Sequence, residues 1–265
     1  MDVKSKNVLI TGAAGGLGKE LSLAFGSRGA RIIALDIKPE PLQSLKDFLE
    51  EKHISCSTFV CDIADKDQCQ RVVREVEASG ITLDMVIHNA GISHRSTFAQ
   101  TQLDVLERII AVNISGTINL THFTLDHLIQ SKGTYVVVSS VAGFAPLMGR
   151  TGYAASKHAL HGFFETLRVE VEEDGVNVLM VCPSFMKTAM EHTAYGGDGN
   201  HVVQKKQTVG NVLTPEFVAG QIVKGVMAKR KRIYISPIAK LSLITSRIVP
   251  GVYSRIMKRS VRGEF

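Results

Sequence analysis

The feature that most constrains this chain is the alternation of short apolar runs with longer segments of helical periodicity. Some runs, such as Val86-Ile87 and Tyr135-Val136-Val137-Val138, are continuously apolar, as in parallel strands that are buried on both faces. Repeated strand–helix units predict an α/β fold, a doubly wound parallel sheet of about seven strands with helices on both faces. The predicted strands are Asn7 to Thr11, Arg31 to Leu35, Ser55 to Val60, Leu83 to His88, Thr134 to Ser139, Val176 to Val181 and Arg232 to Ile235.

Two helix starts can be recognised from capping residues. Asp104 followed by Glu107 has the pattern of a capping box, which predicts a helix that continues to about Leu128. Pro215 directly after Thr214 predicts the first turn of another helix, because proline is favoured at the first helical position.

The first predicted strand runs directly into a glycine-rich loop that is followed by a helical pattern. Glycines there let the backbone turn sharply and approach a pyrophosphate, and the helix presents free N–H groups and the positive end of its dipole. This strand–loop–helix context predicts a Rossmann-like dinucleotide site. The candidate cofactor contacts in the loop are Gly12, Ala14, Gly16, Leu17 and Gly18.

Asp36 is predicted at the end of the second strand, 18 residues after Gly18. A carboxylate there accepts a hydrogen bond from the adenine-ribose 2′-hydroxyl and repels a 2′-phosphate, which favours NAD over NADP. Arg31 and Lys38 are close in sequence and weaken the charge argument, so NADP stays open as the alternative.

Tyr153 and Lys157 are four residues apart in a segment that reads as the first turns of a helix, which places them on one helical face. The ordinary pKa of a phenol is about 10, and a neighbouring ammonium would lower it by stabilising the phenolate. Ser140 follows the fifth predicted strand, where its hydroxyl can donate to a carbonyl oxygen that gains charge. These residues predict proton transfer at a carbonyl or alcohol group.

The order and spacing of these motifs resemble the short-chain dehydrogenase/reductase family of the single-domain type, over roughly residues 5 to 235. The resemblance implies that Tyr153 protonates the forming alkoxide or removes the alcohol proton, and that Lys157 binds the nicotinamide-ribose hydroxyls. It also implies that Asn113 distorts its helix and holds a water that relays protons to the lysine. The implied catalytic residues are Asn113, Ser140, Tyr153 and Lys157.

The same resemblance implies further cofactor contacts, with two departures from the family pattern. His88 stands where the family often has Asn, which would soften the hydrogen bonding of the following loop. Ser184 stands where the family has Gly, so a backbone with positive φ would be strained there. The implied contacts are Asp62 and Ile63 beside the adenine, Asn89, Ala90 and Gly91 over the cofactor, and Pro183 and Thr188 at the nicotinamide carboxamide, together with Tyr153 and Lys157.

The loop between Ser140 and Tyr153 must line the reacting centre, and its apolar residues predict a hydrophobic alcohol or ketone, lipid-, steroid- or retinoid-like. Residues 188–213 are rich in turn formers and are predicted to form a loop. Two alternative functions stay open, an NADPH-dependent 3-oxoacyl-carrier-protein reductase and a non-catalytic dinucleotide-sensing interaction protein. The predicted apolar wall is Phe144, Leu147, Met148, Phe185, Met186 and Met190.

Positive charge is concentrated at the C-terminal end. Residues 229–265 hold 10 basic residues against Glu264 alone, whereas the whole chain has a net charge of +6. Amphipathic spacing interrupted at Pro250-Gly251 predicts two short helices that contact an anionic membrane or cover a partner subunit. We therefore expect a dinucleotide-binding and catalytic domain at 1–236, a basic amphipathic extension at 237–265 that is not a separate domain, and a homodimer or homotetramer.

The 4 cysteines and 9 histidines have neither the spacing of a metal site nor that of a disulfide framework. We expect no metal ion and a reducing cytoplasmic location, peripheral to a membrane if the C-terminal extension binds one. The first predicted strand begins too early for a cleavable signal sequence before it. No nucleic-acid partner is expected, because the basic residues are not interleaved with stacking aromatic side chains.

Overall fold

The computed structural model describes residues 2–187, 193–202 and 211–264. The strands within them are β1 (Asn7–Thr11), β2 (Arg31–Asp36), β3 (Cys56–Val60), β4 (Met85–His88), β5 (Thr134–Val138), β6 (Asn177–Cys182) and β7 (Arg232–Tyr234). They pair in parallel in the order β3-β2-β1-β4-β5-β6-β7. The predicted doubly wound parallel sheet is confirmed, with strand ends that differ from the prediction by at most two residues.

Helices cover both faces of the sheet. They are α1 (Gly16–Gly26), α2 (Pro39–Glu51), α3 (Lys66–Ala78), α4 (Leu103–Ile110), α5 (Thr117–Ser131), α6 (Thr151–Glu170), α7 (Pro215–Met227), α8 (Pro237–Ile248) and α9 (Pro250–Val261). The apolar side chains of α1, α2 and α7 form one core cluster, and those of α3, α5 and α6 form the other.

The continuously apolar strands follow from this three-layer arrangement. Successive side chains of a strand point to opposite faces of the sheet, so a strand with a helix layer on each side must be apolar at every position. In β1, Val8 and Ile10 belong to the cluster under α1, whereas Leu9 belongs to the cluster under α5 and α6. All three side chains are fully buried.

The helix whose N-cap was predicted at Asp104 has its N-cap two residues earlier. Gln102 is the N-cap, and α4 begins at Leu103 without a capping bond from a side chain. The backbone N–H of Gln102 donates to the carbonyl oxygen of Gly197 at 2.8 Å, so a contact from a distant loop holds the residue that precedes the helix. The capping box of Asp104 with Glu107 was therefore a wrong prediction, and Asp104 lies in the first turn.

The continuation of that helix is interrupted by a π-helical segment, Ala111–Gly116, which separates α4 from α5. One extra residue in a helical turn changes the direction of the side chains that follow, and such segments are frequent at functional sites. Asn113 lies within the segment, where the resemblance to the family implied a distorted helix.

The C-terminal residues form the two predicted helices, α8 and α9, which meet at Pro250 and pack against each other. The start of α7 also agrees with the prediction, because the Thr214 hydroxyl accepts a hydrogen bond from the backbone N–H of Phe217 at 3.2 Å. Of the loop predicted at 188–213, residues 194–202 contain turns and isolated bridges. No helix in the described ranges is long and apolar enough to cross a membrane.

Candidate active site

A cavity of about 1140 Å³ lies at the carboxyl edge of the sheet. Its volume exceeds the several hundred cubic ångströms typical of a site for one small ligand. Residues from the strands β1 to β6, or from the loops that follow these strands, line it together with residues from α6, α8 and α9. The candidate cofactor residues in its wall are Gly12, Ala14, Gly16, Leu17, Asp36, Asp62, Ile63, Asn89, Ala90, Gly91, Tyr153, Lys157 and Pro183.

The glycine-rich loop has the geometry that a pyrophosphate requires. Gly12 has φ +60°, and a Cβ there would come within 2.9 Å of the Ala90 backbone, so only glycine fits. The N-cap of α1 is Gly15, so no side chain of the N-cap residue caps the helix. The first N–H groups of the helix also lack intrahelical partners. Gly18 does not line the cavity, and a Cβ on it would overlap the carbonyl oxygen of Gly12. Its role is therefore to let α1 pack closely against the loop.

The Asp36 carboxylate is held in place at the end of β2 by two backbone donors. Its Oδ2 accepts from the N–H of Ala14 at 3.0 Å, and its Oδ1 accepts from the N–H of Lys38 at 3.1 Å. Each carboxylate oxygen can accept a further hydrogen bond. The group can therefore bind a ribose hydroxyl while it keeps the glycine-rich loop in position.

Asn89 fixes the loop after β4 against the glycine-rich loop. Its Nδ2 donates to the carbonyl oxygens of Thr11 at 2.9 Å and of Gly12 at 3.0 Å. His88 takes no part, because its ring is buried, stacks on Tyr135 and bonds to the hydroxyl of Thr121 at 3.0 Å. Burial lowers the pKa of His88 to about 3, so the ring is a neutral part of the core. The expected softening of this loop does not occur, since His88 points away from it.

Ser140, Tyr153 and Lys157 come together in the cavity wall. The Ser140 hydroxyl makes a side-chain hydrogen bond with the Tyr153 phenol. The Lys157 ammonium donates to the carbonyl oxygen of Val138 at 2.9 Å and lies 5.7 Å from the centroid of the Tyr153 ring. Tyr153 and Lys157 project from the first two turns of α6, as their spacing predicted. The hydroxyl of Ser139 is not part of this group, because it bonds to His161 at 2.8 Å.

The electrostatic prediction for Tyr153 was wrong in direction. Burial raises the pKa of Tyr153 above its ordinary value of 10.0, and the Ser140 hydroxyl and the Arg150 guanidinium lower it only in part. Burial also lowers the pKa of Lys157 from 10.5 to about 8. The sequence indicated the spacing of the phenol and the ammonium, but it could not give the cost of burying them.

Asn113 is buried behind the cavity rather than in its wall. Its Oδ1 accepts from the N–H of Ile92 at 2.8 Å, and its Nδ2 donates to the carbonyl oxygen of Ile92 and to the Ser156 hydroxyl, both at 2.9 Å. The side chain thus ties the loop after β4 to α6, which carries Tyr153.

Three charged residues at this site, two arginines and a glutamate, were missed by the sequence analysis. Arg150 lines the cavity immediately before α6, and its Nη2 donates to Oε2 of Glu264 at 2.5 Å. The two side chains are only 6% and 3% exposed. Glu264 is the single acidic residue of the basic C-terminal segment, which is the signal that could have drawn attention to it. Arg95 is a second buried arginine in the same wall.

His94 was also missed and supports the start of α6. Its Nε2 accepts from the backbone N–H of Gly152 at 3.0 Å, and its Nδ1 pairs with the Ser96 hydroxyl at 3.1 Å. Burial, with a smaller effect of Arg150, lowers the pKa of His94 to about 4. The neutral ring therefore positions the residue adjacent to Tyr153. Across residues 2–187, 193–202 and 211–264, no group of three or more His, Cys, Asp or Glu side chains is arranged to hold a metal ion.

The apolar wall contains only part of the predicted set. Leu147, Phe185 and Met186 line the cavity. Phe144 and Met148 do not, because Phe144 packs edge-on against Tyr234 and the backbone of Met148 contacts the sulfur of Met257. Met190 lies outside the described residues. The C-terminal helices also contribute to the cavity lining, through Ile238, Leu241, Ser242, Thr245, Tyr253, Ile256, Met257, Ser260 and Val261.

The backbone after β6 is not strained at Ser184, the residue that stands where the family has glycine. Pro183 and Ser184 line the cavity, and φ of Ser184 lies outside the left-handed region. The turn therefore accommodates a side chain. Thr188 lies outside the described residues.

A family model described as short chain dehydrogenase matches residues 6–197 of this sequence. The chain belongs to the short-chain dehydrogenase family. The resemblance inferred from the motifs is thereby confirmed, and this short-chain dehydrogenase is an oxidoreductase of the dehydrogenase/reductase type.

Named relatives of this short-chain dehydrogenase match along almost its whole length. Dehydrogenase/reductase SDR family member 7B of Bos taurus is 31% identical over 99% of this chain and 83% of its own length. A dehydrogenase/reductase SDR family protein 7-like of Anopheles gambiae is 31% identical over 97% of this chain and 83% of its own length.

Solved structures have the same fold as this short-chain dehydrogenase. A short chain dehydrogenase from Burkholderia cenocepacia in complex with NADP has a TM-score of 0.81 at 19% identity, over 97% of this chain and 99% of the other. A short chain dehydrogenase from Mycobacterium paratuberculosis bound to NAD has a TM-score of 0.76 at 24% identity, over 88% of this chain and 97% of the other.

Proposed function

We propose that this chain transfers a hydride between a nicotinamide cofactor and a hydrophobic secondary alcohol or ketone, of lipid-, steroid- or retinoid-like character. One observation carries the proposal: the glycine-rich loop, the hydrogen-bonded pair of Ser140 and Tyr153, and an apolar wall lie in the same cavity. Dinucleotide, proton donor and apolar substrate can therefore meet at one place.

The proposed cofactor is NAD, with NADP as the alternative. The described residues fit a dinucleotide, because the same cavity is lined by the loop that requires glycine at Gly12 and by the Asp36 carboxylate. The N–H groups at the start of α1 would hold the pyrophosphate, Asp36 the adenine ribose, and Lys157 the nicotinamide ribose. When bound, the nicotinamide accepts or supplies the hydride. The solved relatives in complex with NADP and with NAD support this assignment of the cavity.

The proposed roles of the catalytic residues follow from their contacts. Ser140 would donate its hydroxyl proton in a hydrogen bond to the substrate oxygen, where negative charge develops. Tyr153 would give its proton to that oxygen in the reductive direction and take it back in the oxidative direction. The raised pKa of Tyr153 keeps the phenol protonated in the free protein. Asn113 would act as a positioning residue through its hydrogen bonds to Ile92 and Ser156. This role is in addition to the proton relay that the family resemblance implies.

The proposed substrate is apolar because the wall beyond Tyr153 is built from Leu147, Phe185 and Met186 and from the inner faces of α8 and α9. We propose that residues 1–236 form the dinucleotide-binding and catalytic domain and that 237–265 belong to it as an extension. Both parts line the same cavity, which favours this division over two separate domains.

We further propose a homodimer or homotetramer, with peripheral contact of the C-terminal extension to a membrane. Exposed apolar side chains on α6 and on the neighbouring α4 support an interface between subunits: Val169 on α6 is 71% exposed and Leu103 on α4 is 66% exposed. Exposed apolar side chains of this size are candidates for contact with a second subunit.

Titration of the purified protein with NADH and NADPH, followed by a screen of hydrophobic alcohols and ketones at the nicotinamide absorbance band, tests the proposal. We expect tighter binding of NADH and turnover of an apolar substrate. Preference for NADPH with turnover of 3-oxoacyl thioesters would replace it with the carrier-protein reductase. Cofactor binding without turnover of any substrate would replace it with the dinucleotide-sensing protein.

A further inference from the structure

Exposed large apolar side chains are concentrated on α8 and α9. Ile248 is 73% exposed, Ile244 is 54% exposed and Val252 is 49% exposed. The spacing of Ile244 and Ile248 puts them on one side of α8, and Val252 and Ile256 have the same spacing on α9. The two helices contact each other, and we call these four exposed side chains together the apolar patch. A patch of this kind on a soluble chain indicates a partner.

Basic residues border the apolar patch. Lys240 and Arg247 are exposed on α8, and Arg255, Lys258 and Arg259 are exposed on α9. The only acidic residue of this segment, Glu264, is buried in its pair with Arg150, so the segment itself has no exposed acidic side chain beside these basic residues. An apolar patch with a basic border matches the interface of an anionic lipid bilayer, where apolar groups enter the acyl boundary and cations meet the headgroups.

The mouth of the substrate cavity lies at the same surface. Leu241 and Ile256 line the cavity and are each 58% exposed. The inner wall of the cavity is therefore continuous with the apolar patch, through one side chain of each helix. A water-insoluble substrate that enters along these residues would not have to cross water.

We propose that the apolar patch and its basic border dock this enzyme onto an anionic membrane and that the cavity receives its substrate there from the lipid phase. The docking proposal rests only on the exposure of the apolar side chains and on the charge of the basic side chains. The delivery of substrate rests on the proposed function.

A second copy of the chain fits the same surface poorly. A symmetric dimer through this face would pack the same patch of each chain against the other, which brings the basic borders of the two chains into one interface. Like charges in an interface repel each other, and the segment offers no exposed carboxylate to pair with them. An anionic membrane satisfies both the apolar residues and the basic residues.

Co-sedimentation of the full chain with vesicles tests the docking. We expect binding to vesicles of phosphatidylcholine with phosphatidylserine, weak binding to phosphatidylcholine alone, and loss of binding at high salt. The double variant Arg247→Gln with Arg255→Gln should bind the anionic vesicles on the order of 25-fold more weakly, at about fivefold for each charge near the surface. The double variant Ile244→Ser with Ile248→Ser should lose at least about tenfold.

Matched controls are available elsewhere on the molecule. Phe217 is a large apolar side chain that is 49% exposed on α7, and Arg74 is an exposed arginine on α3. Phe217→Ser and Arg74→Gln should leave vesicle binding unchanged. Equal binding by all variants, or no binding of the unaltered chain to anionic vesicles, would overturn the docking proposal. A dimer in light scattering that Ile244→Ser with Ile248→Ser dissociates, without vesicle binding, would identify a second copy as the occupant instead.

Substrate delivery has a separate readout. The Ile244→Ser with Ile248→Ser variant should turn over a water-soluble ketone at the unaltered rate, because neither residue lines the cavity. Its turnover of an apolar ketone embedded in anionic vesicles should fall with its vesicle binding. Vesicle binding without turnover of either ketone would overturn the proposed function and the delivery step and leave the docking surface standing. Equal loss with both ketones would overturn the delivery step alone.

Discussion

The Arg150 guanidinium and the Glu264 carboxylate form a buried ion pair, with 2.5 Å between Nη2 and Oε2. Arg150 immediately precedes the helix that carries Tyr153, and Glu264 lies after the last turn of α9. The pair therefore joins the C-terminal helices to the proposed catalytic residues across 114 positions of sequence. It holds the C-terminal helices against the side of the cavity that they line.

Loss of this pair should destabilise the protein. In Glu264→Gln the Arg150 charge keeps its buried position but loses its carboxylate, and breaking a buried pair in this way costs about 3 kcal/mol or more. Urea unfolding gives the free energy of unfolding directly. Glu172→Gln is the matched control, because its pair with Lys231 is 65% and 72% exposed and should contribute less than about 1 kcal/mol. Equal losses in the two variants would contradict the burial argument.

Removal of one oxygen atom tests the proposed proton donor. Tyr153→Phe keeps the ring and removes the hydroxyl that bonds to Ser140, so turnover should fall by about 10² to 10⁴. The affinity for the cofactor should change little, because the loop at Gly12 and the Asp36 carboxylate are untouched. Steady-state kinetics and a fluorescence titration of NADH separate the two effects. Turnover near that of the unaltered chain would remove Tyr153 from the mechanism.

The buried Lys157 should make stability depend on pH in a defined window. Its pKa is about 8 in the folded chain, against 10.5 without burial, so between these values the unfolded chain binds the proton that the folded chain has lost. The free energy of unfolding that Lys157 contributes should therefore rise as the pH rises from about 8 to about 10.5, and should be lost as the pH falls through about 8.

Lys157→Met isolates this contribution, since it fills similar space without a titratable group. Urea unfolding of both chains at about pH 7.5 and about pH 9.5 should show the unaltered chain gaining stability relative to the variant at the higher pH. The comparison cancels the buried groups that Lys157 does not contact. Cys182 does feel the Lys157 charge, but burial raises the pKa of Cys182 to about 12, above the pH window of the comparison. A difference that is the same at both pH values would contradict the low pKa of Lys157.

The charge of Asp36 should set the choice between NAD and NADP. Asp36→Asn keeps an oxygen that can accept the backbone bond from Ala14 but removes the charge that repels a 2′-phosphate. We expect the affinity for NADPH to improve by about tenfold relative to that for NADH. The ratio of the two dissociation constants measures this, and Asp65→Asn, an exposed helix cap, is the matched control. An unchanged ratio would show that Asp36 does not select the cofactor.

The predictions from sequence succeeded where the signal is local along the chain. The apolar runs gave the strands, and the spacing of Tyr153 and Lys157 gave their common helical face, because both depend on residues a few positions apart. The prediction that a helix starts at Asp104 was wrong, because a distant residue, Gly197, binds the backbone of the actual N-cap, Gln102. The prediction that Phe144 lines the cavity was wrong, because apolar character does not say which neighbour a side chain contacts. Here that neighbour is Tyr234.

By itself, the sequence determined the parallel sheet, the glycine-rich loop and the family, since strand periodicity and motif spacing are properties of the chain. The tertiary structure alone decided that Glu264 reaches Arg150, that α8 and α9 line the cavity, and that Tyr153 has a raised rather than a lowered pKa. These features depend on burial and on contacts between residues far apart in sequence, and the free energy of a buried charge is set by what surrounds it in space.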